Sequence, residues 1–370
     1  MYRRARAEID AEALRHNHAR ACALGGTRAA WPVIKGDAYG HGMLDAARVL
    51  DGAAGFIVAD VQEGIALRSA GFAHRILVLQ GAWNPSSLKA AVAADLELGC
   101  HDPSQLDLAD AYSAVLREHG THLWLEVETG MHRLGLDRGG AEALERLQAI
   151  VGPDRVVLMT HFARADTPEH AQNAEQIRRF NKLRSGVDCV VSACNSAALV
   201  SGLVRDDDIV RPGVMLYGVS PVVAQTAIEV DLRPVLTLRS ELMAVKTVAA
   251  GEPVGYGGTW APTRGGRIGV VAAGYGDGYP RNAPNGTPVL VAGKRVPLIG
   301  RVSMDSLSVD LHNHPQAQVG DDVVLWGQGL PVEEIATAAG TIGYELLTRI
   351  PPRVPRIGWP APVEASGGAA

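Results

Sequence analysis

Apolar residues in the first two thirds of the chain gather in short β-branched runs, each closed by Gly, Pro, Asn or Asp. Eight stand out: Ala30–Lys35, Gly55–Asp60, Arg75–Gln80, Asp95–Cys100, His122–Glu128, Val156–His161, Cys189–Asn195 and Ile209–Gly213. Each is too short for a typical helix, and the run length and composition predict strands. The segments between them carry helical signals. Leu44–Leu50 is apolar at helical spacing, and Asp102-Pro103 caps a run through Leu106, Leu108, Ala111 and Val115. Pro168 is expected to open a polar helix through Ile177, Phe180 and Leu183. Eight β/α alternations within about 220 residues match an α/β fold, the (β/α)8 TIM-type barrel. An open doubly wound sheet is the competing architecture. Its dinucleotide-binding version lacks a G-x-G-x-x-G after the first strand.

Near residue 232 helical periodicity fades. Short β-like runs broken by Gly and Pro follow: Val235–Leu238, Met243–Val248, Arg267–Ala272, Pro288–Val291, Ser306–Asp310 and Asp322–Trp326. One amphipathic segment, Val332–Ala339, is predicted helical, with Pro331 and Glu333-Glu334 suited to its first turn. The expected organisation is a barrel over residues 9–231 and a mostly-β second domain over 232–357. Residues 1–8 are expected to join the second domain, and 358–370 to form a disordered tail.

Composition and charge narrow the function. The 370 residues are 47% hydrophobic and 20% charged, with a formal net charge of −5. That is ordinary for a globular protein and gives no electrostatic case for nucleic acid or an anionic membrane. No apolar run approaches the roughly 20 residues of a membrane span. The basic N-terminus lacks an apolar region behind it, and Glu8, Asp10 and Glu12 follow at once, so a cytoplasmic location is expected. Cys22, Cys100, Cys189 and Cys194 show neither C-x-x-C nor zinc-ligand spacing; reduced, mostly buried thiols and no metal are expected.

A barrel places its active site at the C-terminal ends of its strands. There the sequence sets Lys35, Arg133 in Thr129-Gly130-Met131-His132-Arg133, His161, Asn195-Ser196 and Arg211-Pro212-Gly213. Singly, each has a structural explanation; together, at successive strand ends, they describe a site. Lys35 follows Trp31-Pro32-Val33-Ile34 and precedes Gly36, Gly40 and Gly42, which allow close backbone approach to a ligand. A lysine at a desolvated mouth has a lowered pKa, and its neutral amine can form a Schiff base with an aldehyde. Pyridoxal 5′-phosphate (PLP) is the aldehyde cofactor that does this. Ser196, Gly213 and Tyr39 would supply groups for its phosphate, at the place after strands seven and eight where this fold often binds one.

These segments resemble a family. Val33-Ile34-Lys35-Gly36-Asp37-Ala38-Tyr39-Gly40-His41-Gly42 looks like the PLP-attachment segment of bacterial alanine racemases, which are fold-type III PLP enzymes. Glu128–Gly135, Met159–Ala163, Arg211-Pro212-Gly213, Leu216-Tyr217-Gly218, Gly255-Tyr256-Gly257, Gly274–Arg281 and Gly300–Asp305 extend the resemblance over nearly the whole chain. It implies that Lys35 is the Schiff-base lysine and the base on one face of the substrate. Tyr256, from the partner subunit of a homodimer, would be the base on the other face. Arg211 would face the pyridine nitrogen, with His161 in its network. Tyr39, Asn195, Ser196, Gly213 and Tyr344 would surround the phosphate. Arg133 and the Met304 backbone would hold the carboxylate of alanine, with Tyr275 lining the access path and Asp305 in a supporting place. Racemisation removes a proton from one face and returns one to the other, so two bases must flank the substrate. Both have reference pKa values near 10, and a cationic neighbour would lower that of Tyr256.

One position departs from the family. Many members carry a carbamylated lysine seven residues before the substrate arginine; here that place is Glu126, an anion without modification. Three other assignments compete. A basic-amino-acid decarboxylase of the same fold type would show a cysteine-bearing segment and a glycine-rich phosphate loop, and neither is found. A single-barrel PLP-binding protein would lack the second domain. A racemase of broader specificity is separated only by pocket size, and a methylene is worth about 1–3 kcal/mol.

Overall fold

The computed structural model describes residues 3–204, 206–223 and 225–361, which fall into two compact units. One comprises Leu14–Ala38 and Ala46–Leu232; the other comprises the residues up to Ala13, Tyr39–Asp45 and those from Arg233 onward. Of the tail expected over 358–370, residues 362–370 lie outside the described residues, and Trp359 is held by its indole N–H, which donates to His41 O at 3.0 Å. No described helix is long and apolar enough to cross a membrane.

The first unit is α/β. Six parallel strands, Gly55–Val58, Arg75–Val78, Glu97–Cys100, Leu123–Glu126, Val156–Met159 and Val190–Ser192, pair in chain order. A parallel pair, Ala29–Ala30 with Ile209–Val210, forms a second sheet. Single parallel bridges join Val33 to Ile57 and Asn195 to Arg211. All eight predicted runs therefore contain strand, but each strand is shorter than its run. The first differs most. Pro32 has no N–H to give the ladder, regular pairing ends at Ala30, and Lys35 opens a short helical turn, Lys35–Gly40, instead of ending a strand.

Helices alternate with these strands. Met43–Val49 lies where expected, and Pro103–Ala111 starts where expected, capped by Asp102, whose side chain accepts from Ser104 N, but it ends at Ala111 and Val115 belongs to a separate helix, Ser113–Glu118. The polar helix starts at Ala171, capped by the His170 ring, and not at Pro168. Strand interiors are apolar on both faces, as parallel strands covered by helices require: Phe56, Ile57, Val58, Ile76, Leu77, Val78, Trp124 and Leu125 are fully buried.

The second unit is built on antiparallel strands. Leu236–Val248 is one 13-residue strand, where the pattern had suggested two. Its register slips at Leu238/Arg239 and between Leu242 and Ala244, and such bulges bend a strand so that it serves two sheet segments. The N-terminal strand Arg6–Ile9 pairs with it. Lys294–Ile299 and the helix Gly343–Thr348 were not foreseen; Val332–Ala338 was. Cys100 and Cys194 are buried, Cys22 and Cys189 half-buried, and all four are free thiols.

Candidate active site

In the first unit the polar residues just past the strand ends converge. Lys35 is half-buried. Burial lowers its pKa most, Arg133 and Arg211 lower it further, and Glu63 and Glu126 oppose them. His161 is held neutral, its pKa pushed well below the ordinary value by burial and by Arg211, Arg133 and Lys35. A guanidinium pair, an amine, an imidazole and a carboxylate thus act on one another at one mouth.

Arg211 is the more buried of the two arginines, 5% exposed. Its guanidinium donates to Thr160 O at 2.7 Å and to Ser192 Oγ. Asp207 and Glu126 supply the nearby negative charge. Asn195 caps the helix Ser196–Ser201 by accepting from Ala198 N at 3.0 Å, and its amide nitrogen lies 3.4 Å from His161 Nε2. Ser196 Oγ accepts from Gly213 N at 2.7 Å, joining two segments assigned to one anion. Glu126, 7% exposed, has a carboxyl pKa raised by burial and drawn back down by Arg211, Arg133 and Lys35.

Arg133 is exposed on a loop that Glu128 pins. The Glu128 carboxylate accepts from Gly130 N, from Met131 N at 2.7 Å and from His132 N at 2.6 Å, and His132 has a left-handed φ of 54°. The turn after Lys35 is stranger. Gly36, Asp37, Ala38 and Tyr39 have φ between 53° and 61°, a left-handed turn in which each non-glycine residue costs about 1–2 kcal/mol. Such strain persists only where surrounding structure enforces it.

The second unit holds the remaining assigned residues. The Tyr39 and Tyr344 rings lie 6.1 Å apart. Tyr256 is 69% exposed on the glycine-flanked tip Tyr256–Gly258, and the Arg301 guanidinium borders Gly257. Tyr275 starts a turn whose backbone meets the Met304 loop: Tyr275 N donates to Ser303 O at 3.0 Å and Gly276 N to Met304 O at 2.8 Å. That approach needs glycine at 274, where a Cβ would stand 2.2 Å from Ser303 O. Below it the fully buried Asp277 accepts from Gly274 N and Arg3 and pairs with Arg353, while Asp305 pairs with the same two arginines.

Several supporting residues were not singled out from sequence. Gln176 donates to Thr129 Oγ1 and to His161 O and accepts from Ala163 N. Thr160 Oγ1 donates to Val127 O. Glu63 accepts from Gly36 N and Ala59 N. Only Glu63 had a local signal, the D-x-x-E capping pattern Asp60–Glu63 after the second strand.

Comparison with known proteins follows the same division of the chain. The family model described as "Alanine racemase, N-terminal domain" matches residues 9–221, and "Alanine racemase, C-terminal domain" matches 235–358. An alanine racemase of Shewanella loihica is 44% identical over 351 residues, 94% of this chain and 97% of that protein. The crystal structure of biosynthetic alanine racemase from Pseudomonas aeruginosa superposes with a TM-score of 0.90 at 41% identity, covering 96% of this chain and 99% of that one. Alanine racemase from Bartonella henselae with covalently bound pyridoxal phosphate matches with a TM-score of 0.86 at 27% identity, over 95% and 99% of the two chains.

Proposed function

This chain belongs to the alanine racemase family, whose interconversion of L- and D-alanine is its activity, and we propose that it works with PLP held covalently by Lys35. Lys35 would be the base on one face and Tyr256 of a second copy the base on the other. The observation that carries this is the lysine's setting, an amine whose pKa burial and two arginines drive down.

The donor set fits the cofactor. Ser196 and Gly213 suit the phosphate, with Asn195 and His161 beside them, and the same reading gives Tyr39 and Tyr344 to it. When bound, PLP supplies the electron sink that makes the α-proton of alanine removable. Lys35, brought toward the neutral form, takes that proton on its own face. Tyr256 delivers a proton from the opposite face. Arg211 stays charged at any working pH, so beside the pyridine nitrogen it would keep that nitrogen unprotonated and favour proton return over side reactions. Arg133 and the Met304 backbone hold the carboxylate, Tyr275 lines the path to the site, and Asp305 supports that side. The eight strands of the first unit form one closed (β/α)8 barrel, a reading supported by the Val33–Ile57 and Asn195–Arg211 bridges. A homodimer then completes each site with Tyr256.

Purified protein is expected to show the visible absorbance of bound PLP, lost in Lys35→Ala. It should convert L-alanine to an equal mixture of enantiomers by chiral chromatography, and Lys35→Ala should not. A Lys35→Ala protein that keeps both band and turnover would overturn the assignment.

Glu126 supplies, on this reading, the negative charge that orients Arg133. Its raised pKa means that burying the anion costs stability, a cost present once pH rises above the unfolded value near 4.5. Glu126→Gln should therefore keep or gain stability at pH 7. Its KM for alanine should rise several-fold, since an orienting ion pair is worth about 1 kcal/mol. An unchanged KM in steady-state kinetics would remove Glu126 from this role.

A further inference from the structure

The backbone around Lys35 leaves the sheet one rung before the lysine. Ile34 N donates to Ile57 O at 2.9 Å, the last backbone hydrogen bond from this segment to the second strand. Beyond it, two amides are captured by one side chain. Gly36 N donates to Glu63 Oε1 at 2.7 Å, and Ala59 N donates to Glu63 Oε2 at 2.7 Å. The carboxylate replaces the missing rung, and hydrogen bonds to an ionised acceptor are roughly twice as strong as neutral ones.

The sequence places Glu63 there by helix capping. Asp60 caps Val61–Ser69, accepting from Gln62 N at 2.8 Å and Glu63 N at 3.0 Å. A glutamate at this third helical position ordinarily folds back onto the amide of its own cap. Glu63 reaches one residue further back, to Ala59, and across to Gly36. Gly36 is also the first residue of the left-handed run, so the bridge fixes the point where the chain departs from ordinary backbone.

We propose that Glu63 is a positioning residue for the racemase reaction: by bridging the Gly36 and Ala59 amides it sets the turn that presents the Lys35 amine. The proposal rests on Lys35 being the PLP-bearing base. Glu63 acts on that amine by charge as well, raising its pKa against burial and Arg133. Geometry and charge can be separated. Asp at 63 keeps the charge but is one methylene too short to span both amides. Gln keeps the length and loses the charge, and it turns a donor toward one of the two N–H groups.

The test compares Glu63→Gln and Glu63→Asp holoenzymes. Both should lose about 10- to 100-fold in kcat, the size expected of a small misplacement of a reacting group. KM for alanine should stay within about twofold. Amide hydrogen exchange across residues 34–40 should accelerate in both. Only Glu63→Gln should move the limb of the pH profile that reports Lys35 deprotonation, toward lower pH, because only it removes the anion. Wild-type kcat and wild-type exchange in either variant would overturn the proposal. So would a loss of kcat matched by an equal loss of bound PLP, which would make Glu63 structural only. If Lys35 is not the cofactor lysine, the Lys35→Ala spectrum reveals it without any Glu63 variant.

Discussion

Co-expressed Lys35→Ala and Tyr256→Phe chains should recover about a quarter of wild-type turnover, although each alone should fall about 10³-fold. The expectation follows from where the two proposed bases sit. Lys35 is half-buried beside Arg133, Arg211 and Glu126 in the first unit, whereas Tyr256 stands 69% exposed on a glycine-flanked tip in the second. Tyr256→Phe removes one hydroxyl from an exposed ring, so its effect on folding should be negligible. In a symmetric dimer whose sites each take Lys35 from one chain and Tyr256 from the other, half of randomly paired dimers are mixed. Each mixed dimer has one site with both native bases and one with neither. One native site in half the dimers is a quarter of all sites. If Tyr256 served the Lys35 of its own chain, every site would lack a base, and the mixture would show only the residual activities. Turnover of doubly tagged, purified mixed dimers decides between the two.

The parts of this arrangement legible in sequence were those written in single-residue chemistry. The eight apolar runs announced the strands because fully covered parallel strands must be apolar on both faces. Lys35, Arg133, His161, Asn195 and Arg211 stood out because charged and polar residues at strand ends break that pattern. The turn after Lys35 was not legible. Ala38 and Tyr39 have no local preference for positive φ, and only the neighbouring glycines hint at it. Local rules fail at such a place because tertiary contacts, Glu63 among them, override them. In the second unit, Arg239 and Glu241 interrupt the apolar run and made one bent strand look like two. Lys294–Ile299 was hidden by Pro297, ordinarily a strand breaker, which lies opposite Pro288. Gln176 and Thr160 escaped notice for a different reason: much of what they bind is backbone that only the fold brings near.

Replacing Arg211 should have the largest effect on stability. Arg211→Met is expected to cost about 2–4 kcal/mol, because a buried guanidinium that satisfies two acceptors is removed. The guanidinium satisfies Thr160 O and Ser192 Oγ, and the Asp207 and Glu126 carboxylates act on it by charge. Methionine matches the stem and offers no donor, so two acceptors are left unmet and the Glu126 charge loses its main opposing cation, whereas Asp207 keeps the Ala193 and Cys194 amides. The loss should depend on pH. Arg211 is the strongest influence holding the Glu126 pKa down against burial. Without it that pKa rises further above the unfolded value, so the added penalty is present near neutral pH and fades as pH falls through the carboxylate range. Thermal unfolding should therefore show a gap between variant and wild type of roughly 10 °C at neutral pH, narrowing toward pH 4. The same argument predicts coupling. Glu126→Gln removes the charge that Arg211→Met leaves unopposed, so Arg211→Met together with Glu126→Gln should lose less stability than the sum of the single changes, by about 1 kcal/mol or more. Additive losses, or a gap that does not change with pH, would mean that Glu126 and Arg211 do not act on each other.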